Sequence, residues 1–549
     1  MNAQPLPTTP GQNRAPAAPL FLGLAAAAVA LAVYATLDVA GGHFDEYYHV
    51  LAGMSLLRGE GFALGGRGHY DRTPEYTAAV AASMAVFGET LWAARLPSML
   101  CMATAVGLVT AWAGRLGGRV AGVLAGGLLL LNPLGLYVGT MCRFYAPQIL
   151  LVLVVFMLLE RAVYAVGTAG RRAARAGLIG LLLVAAYRLQ PTTVFPAATA
   201  LAWLVLGELG LLSRRRGLAP WRDGVMWAVA LGTLVVAAGA AFVLRSQLAD
   251  AWQMLRHAEA WSAGHRSDFR FYHKYLGREV GWWWSALPLM AILACVRGRL
   301  AAVVLTSLVF VGFVGQTIAG MKSPRYLSYV LPAMSVLWAL GLVQLVPALA
   351  RALMSAADAA APSCRRLARP VVAAASVGAV AWFLVTQPPT DVVKDMLDHD
   401  RHTGHPYVQN DWGTLNTALT PERLDGLSVV ASAETKALFH LGRVDAGIGV
   451  AQLVTHAEGE LDPRTGRPTL ATVAGLLRWM SDHPRGMLIA ERAHYRQPWG
   501  VTDAVADFVE THLKPADLGE AGDAFVAWAW GDAAADPTPN DASPTPAPQ

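Results

Sequence analysis

The chain has 549 residues, of which 55% are hydrophobic and only 15% charged. Soluble chains average about 25% charged residues, so this composition excludes a cytosolic enzyme of ordinary domains, and with it disorder, collagen-like repetition and a disulfide scaffold. The net charge of +5 comes from arginines clustered between apolar runs, a topology signal rather than the footprint of nucleic-acid binding.

Residues 1–19 are rich in Pro, Ala, Gln and Thr and read as a disordered cytoplasmic leader. The apolar run Leu20–Leu37 is long enough to span a bilayer. It is followed by His43, Phe44 and Asp45 rather than by a cleavage site, so it reads as an anchor and not a removable signal peptide. A polar loop over 38–91 comes next. Further apolar stretches near 92–114, 119–138, 148–165, 174–188, 192–212, 225–245, 282–297, 300–319, 326–348 and 369–386 bring the expected spans to about eleven.

With the leader cytoplasmic, the loops on its side hold Arg115 and Arg119; Arg171, Arg172 and Arg175; Arg214, Arg215, Arg216 and Arg222; Arg297 and Arg299; and Arg351, Arg365, Arg366 and Arg369. Each is basic, as the positive-inside rule requires. The opposite side receives the long loops 38–91 and 246–281 and most of the His, Asp, Glu, Tyr and Trp residues, so polar chemistry is expected there.

From about 387 to 535 the pattern turns soluble. The β-branched or aromatic runs Leu427–Ser432, Met487–Glu491 and Phe525–Trp530 alternate with amphipathic stretches at Thr469–His483 and Val501–His512, which predicts a small extracytoplasmic α/β domain. His402, His405, His440 and His456 within it read as surface or structural residues. The tail 536–549 is disordered by composition. Cys101, Cys142, Cys295 and Cys364 show neither metal-ligand nor disulfide spacing.

The first loop opens on Gly41-Gly42-His43-Phe44-Asp45-Glu46-Tyr47-Tyr48-His49. Adjacent carboxylates at a membrane surface must reach a wet cavity or pair with cations. Two readings stand: a solvated helix start with Asp45 at the N-cap, or a general base that accepts a hydroxyl or amine proton. Asp45 and His49 at i, i+4 also fit two ligands of a divalent cation, a weak motif by itself because no dedicated third ligand stands beside them, Glu75 and His69 being the nearest candidates in the loop. Further along, Arg72 suits a phosphate group, against which stands interfacial snorkelling.

The acidic pair after the first span, the basic-residue-then-proline element at Arg72-Thr73-Pro74, and the phrase FGETLWAARLPSML together resemble the membrane-embedded GT-C glycosyltransferases, specifically the protein O-mannosyltransferase and aminoarabinose transferase group. Cys142-Arg143-Phe144-Tyr145-Ala146 resembles the Arg-x-Tyr loop of many bacterial members, and Lys322-Ser323-Pro324-Arg325-Tyr326-Leu327 their basic RYL segment. The similarity covers roughly residues 15–350.

The resemblance implies an all-α polytopic membrane bundle in a bacterial cytoplasmic membrane, a polyprenyl-phosphate-sugar donor, and inverting transfer on the extracytoplasmic face to a lipid, glycan or protein acceptor. It maps Asp45 to the base and Glu46 to its acidic neighbour. Arg72, Arg143, Tyr145, Lys322, Arg325 and Tyr326 map to donor binding. Arg72 stands where the family often has a Lys before Pro-Pro, and no acidic residue precedes Arg143. Tyr272 and His273, ahead of Trp282-Trp283-Trp284, fit either the donor site or an interfacial aromatic belt. No cofactor is indicated beyond a divalent cation. A transporter or flippase would need charged residues in a bundle too, but the chain shows no internal repeat with matching helix breaks. A catalytically inactive binding protein of the same fold is the third reading.

Overall fold

The computed structural model describes residues 17–37, 41–65, 67–164, 169–215, 252–253, 256–257, 264–296, 300–360, 374, 378, 412–450, 457–462, 464–497 and 500–531. Two compact units divide the chain. One comprises Met1–Asp38, Pro97–Thr140 and Phe144–His399, the other Val39–Leu96, Met141–Arg143 and Asp400–Gln549. The predicted spans at 225–245 and 369–386, most of the leader, the tail, and His402, His405 and His456 lie outside the described residues, 374 and 378 excepted.

In chain order the elements that matter here are α1 (Ala17–Thr36), α2 (Phe44–Leu57), β1 (Ala63–Leu64), β2 (Gly68–His69), α3 (Pro74–Phe87), α4 (Leu91–Gly117), α5 (Arg119–Leu130), α6 (Pro133–Thr140), α7 (Tyr145–Tyr164), α8 (Ala169–Leu189) and α9 (Val194–Arg215). They continue through α10 (Phe271–Glu279), α11 (Trp282–Ser285), α12 (Leu287–Cys295), α13 (Leu300–Ile318), α14 (Leu331–Ala360), β3 (Ser428–Ala431), α15 (Glu434–Leu441), β4 (Ala446–Ile448), β5 (Thr469–Leu470), α16 (Val473–Asp482), β6 (Gly486–Glu491), α17 (Asp503–His512), β7 (Lys514–Pro515) and β8 (Phe525–Trp530).

Among the described residues six helices are long and apolar enough to cross a membrane, or seven when α5 and α6 count as one broken span bent by 65°. The chain is a multi-pass membrane protein. The α5–α6 bend falls at Asn132-Pro133, where proline cannot donate to the preceding turn and the Asn132 Oδ1 accepts from Gly135 N at 3.0 Å. Predicted spans and helices part company at 282–297: the stretch folds as α11 and α12, and the nine residues of α12 reach only about 14 Å, against roughly 30 Å of hydrocarbon. The expected span at 174–188 lies in α8, which is helical but carries Arg171, Arg172, Arg175 and Arg188 and is not one of the six.

Glycines set the approach of α1 to α4. A Cβ on Gly23 would stand 2.7 Å from the Gly107 carbonyl oxygen, and one on Gly107 the same distance from the Gly23 oxygen. Small residues are what let membrane helices close to backbone contact. Gly107→Leu is therefore expected to cost about 1–3 kcal/mol or more of overpacking, measurable as a lowered thermal midpoint in detergent; a wild-type midpoint would refute the contact.

The other unit is built on a six-stranded sheet of order β5-β4-β3-β6-β8-β7. β3 pairs parallel with β4 and β6, whereas β8 runs antiparallel to β6 and β7. Because strand side chains alternate, Val429 and Ala431 face one side of β3 and Val430 the other. On one side Val430, Leu488, Trp528 and Trp530 pack with Leu476, Val505 and Val509 of α16 and α17. On the other, Val429, Ala431, Met487, Ile489 and Phe525 pack with Tyr48 and Leu51 of α2, Leu64 of β1, and Tyr70. The first polar loop and the C-terminal residues thus share one hydrophobic core.

Candidate active site

The backbone turns into α2 through a reciprocal cap. His43, extended at ψ 140°, accepts from Asp45 N with Nδ1 at 3.2 Å, while the Glu46 Oε1 accepts from His43 N at 2.8 Å. Two helix-end donors are satisfied at once. The N-cap is therefore His43, not Asp45, and Asp45 and Glu46 both sit in the first turn, where the helix dipole favours negative charge.

The two carboxylates have separate environments. Glu46 is buried, its side chain 3% exposed, and both oxygens are engaged. Oε2 accepts from Arg95 Nε at 2.9 Å and from Cys142 N at 2.8 Å, and Oε1 accepts from Arg95 Nη2 at 3.2 Å as well as from His43 N. Arg95 Nη2 also donates to the Gly41 oxygen at 3.1 Å. Asp45 is the more open carboxylate at 18% exposure; its Oδ2 lies 3.9 Å from Arg143 Nη2 and 3.6 Å from His43 Nδ1. Arg143, itself buried, donates through Nη1 to the Asp45 main-chain oxygen and to the Tyr70 hydroxyl, each at 3.1 Å.

One turn on, His49 is fully buried, with Nδ1 2.8 Å from Thr77 Oγ1 and its ring edge-on to Tyr70 and Tyr76. Burial, reinforced by the Arg143 and Arg72 charges, holds its pKa well below the ordinary imidazole value, so the ring is neutral. Among the described residues no group of three or more His, Cys, Asp or Glu side chains is placed to hold a metal ion. Arg72 is exposed, and the residue after it, Thr73, takes a left-handed backbone (φ 52°) at the start of α3. A β-branched residue before proline avoids that region, so the turn at Arg72 is locally strained.

The remaining predicted residues belong to the other unit. Lys322, in the link between α13 and the next span, is buried and donates its ammonium to the main-chain oxygens of Gln316, at 3.1 Å, and Thr317. These are helix C-terminal carbonyls, which attract cations. Burial lowers the Lys322 pKa to about 8. Its ammonium is 6.0 Å from the centre of the Tyr272 ring, and the Tyr272 hydroxyl donates to the Ser323 oxygen at 3.1 Å. Arg325 lies 5.7 Å over the Tyr145 ring and donates from Nε to Ser323 Oγ at 3.3 Å; Tyr145 and Tyr326 have their rings 6.4 Å apart. Tyr145, Tyr272, Lys322, Arg325 and Tyr326 thus form one basic aromatic cluster. His273 turns outward instead and accepts from Trp284 Nε1 at 2.8 Å.

Three partners of the acidic pair were not singled out from the sequence, His43, Arg95 and the Cys142 amide, nor was Tyr70, which meets Arg143. The signal available was Arg95, an arginine near the start of a long apolar helix, which needs a carboxylate when buried.

The fold has counterparts among solved structures, and one family model matches part of the chain, both in line with the resemblance read from the sequence motifs. Residues 71–243 match the dolichyl-phosphate-mannose-protein mannosyltransferase family. The structure is similar to ArnT from Cupriavidus metallidurans bound to undecaprenyl phosphate, with a TM-score of 0.56 at 16% identity, covering 93% of this chain and 97% of that one. It is similar to the apo state of the same protein, with a TM-score of 0.54 at 16% identity over the same shares. It is also similar to the apo oligosaccharyltransferase of Archaeoglobus fulgidus, with a TM-score of 0.54 at 10% identity, covering 86% of this chain and 70% of that one. No curated protein matches the chain.

Proposed function

We propose that the chain is an inverting glycosyltransferase that moves a sugar from a polyprenyl-phosphate donor to a lipid, glycan or protein acceptor on the extracytoplasmic face of a bacterial cytoplasmic membrane. The observation that carries this reading is the division of labour in the acidic pair. Glu46 is locked between Arg95, His43 N and Cys142 N, and Asp45 is left partly open under Arg143. Asp45 is the base: its carboxylate takes the acceptor proton as the acceptor oxygen or nitrogen attacks the anomeric carbon. The bond from that carbon to the phosphate oxygen breaks, and polyprenyl phosphate departs with the electron pair. Positive charge then develops on the sugar ring and negative charge on the phosphate, so the site needs a carboxylate for the first and cations for the second. Lys322, Arg325 and Arg72 fill the second role, with Tyr145, Tyr272 and Tyr326 as apolar and hydroxyl contacts. Glu46 is the anchor of the turn rather than a proton carrier.

Radiolabelled undecaprenyl-phosphate mannose, glucose, arabinose and aminoarabinose supplied to proteoliposomes test the reading through label transferred to an acceptor fraction. Movement of the lipid across sealed vesicles without any covalent product overturns it. A second test is specific to Lys322. With a pKa near 8, its ammonium is charged below that pH and neutral above it. The second ionisation of a phosphate monoester, near pH 6, is already complete over this range. Undecaprenyl phosphate should therefore bind several-fold more weakly at pH 9 than at pH 7, and Lys322→Met should be weak at both. A wild-type affinity flat across this range would remove Lys322 from the phosphate.

A further inference from the structure

The hairpin β1–β2 is fitted against a loop near residue 464. A Cβ on Gly68 would lie 1.8 Å from the Arg464 carbonyl oxygen, and one on Gly466, whose φ is +64°, would lie 2.9 Å from Arg67. Arg467 Nη1 donates to the Leu64 oxygen at 3.2 Å. The loop is itself rigid. Buried Asp462 accepts from Arg464 N at 2.7 Å and Thr465 N at 3.4 Å, and grips the Arg464 guanidinium with both oxygens, Nε at 3.2 Å and Nη2 at 2.8 Å. Bidentate carboxylate binding fixes the plane of a guanidinium as well as its place.

That guanidinium lies 5.2 Å over the Tyr48 ring. Tyr48 stacks on Tyr70, with centroids 5.0 Å apart and planes within 17°. Tyr70 in turn accepts from Arg143 Nη1, and the same nitrogen holds the Asp45 main chain. Each contact restricts the next: a cation over an aromatic face, two stacked rings, a phenol oxygen aimed at one guanidinium nitrogen.

We propose that Arg464 is a positioning residue for the Asp45 carboxylate, acting through Tyr48, Tyr70 and Arg143, and that the C-terminal residues thereby complete the base. The proposal rests on Asp45 being the base. It follows that a variant 419 positions away in sequence alters the reaction's pH dependence. With Arg464 gone, the Tyr48–Tyr70 stack loosens, Arg143 drifts from Asp45, and a carboxylate that loses a cation becomes harder to ionise.

The test uses the full chain in proteoliposomes with whichever of the four undecaprenyl-phosphate sugars is turned over, and hydrogen exchange in detergent. For Arg464→Met we expect kcat to fall about tenfold with the KM for the lipid donor unchanged and the acid limb of the kcat profile moved to higher pH. Exchange should quicken about fivefold at residues 69–72 and 141–143 while strands β3 and β6 stay protected. Arg464→Lys, which keeps a cation for Tyr48, should recover part of the loss. Wild-type exchange at those residues overturns the proposal, as does a lowered melting temperature with an unchanged pH profile, which would mean a merely structural loop. If Asp45→Asn keeps full turnover, the base assignment fails; if Asp45→Asn is inactive and Arg464→Met behaves as wild type, only the present inference fails.

Discussion

Asp45→Asn is expected to lower turnover by about 10²–10⁴-fold, the usual contribution of a general base, with little change in thermal stability. The asymmetry follows from what each side chain does. Asp45 is not a capping residue: the helix start is held by His43 and Glu46, and the Asp45 main chain, which the substitution keeps, bonds to His43 Nδ1 and Arg143. Its carboxylate stands 3.9 Å from Arg143 Nη2 and remains 18% exposed, so water still reaches the site and the loss of its charge costs less than in the closed Glu46–Arg95 pair. The amide keeps the shape and one acceptor oxygen but cannot take a proton at neutral pH. Turnover of the Asn variant within a few-fold of wild type, in a protein that still melts normally, would move the base elsewhere. The KM for the lipid donor should change much less than kcat, because Asp45 has no part in holding the phosphate.

That much of the site was legible because it is local. Two carboxylates just after an apolar run announce a charged group at a membrane surface, and arginine clusters between such runs announce the topology. The helices long enough to span, and the strands at Ser428–Ala431, Gly486–Glu491 and Phe525–Trp530, fall close to where hydropathy and β-branched runs place them. What escaped the sequence is non-local. Arg95 meets Glu46 across 49 positions, Arg143 meets Tyr70 across 73, and His440, read as structural, bonds the Tyr47 hydroxyl at 2.9 Å across 393. No periodicity encodes such pairings. The stretch 282–297 divides for a related reason: Pro288 and the three tryptophans are apolar enough to extend a hydropathy window, but α11 and α12 are separate helices that meet at Ala286. At Gly65 and Gly68, likewise, the absence of a side chain is what admits Leu438 and the Arg464 main chain.

The largest effect on stability should come from Glu46 and Arg95. Both side chains are almost fully buried, at 3% and 4% exposure, and each satisfies the other through two hydrogen bonds. Such a pair contributes little when compared with an apolar replacement of the same volume, because desolvation offsets most of the attraction. Removing one partner is different, since the survivor is left charged in a site without water. Glu46→Ala should therefore cost about 3–5 kcal/mol, and it also strips acceptors from His43 N and Cys142 N. Arg95→Ala should cost a similar amount. The double variant Glu46→Gln, Arg95→Gln should lose less than the sum of the corresponding single Gln variants by about 2 kcal/mol or more, since neither charge remains; chemical denaturation in detergent reads this coupling directly. Additive losses would mean that the two groups do not depend on each other. The same pair bears on the chemistry. Cys142 N is held by Glu46, and the next residue is Arg143, whose guanidinium meets Asp45. Glu46→Gln, which keeps an oxygen for Cys142 N, should accordingly retain more turnover per folded molecule than Glu46→Ala, even though neither residue at 46 carries a charge.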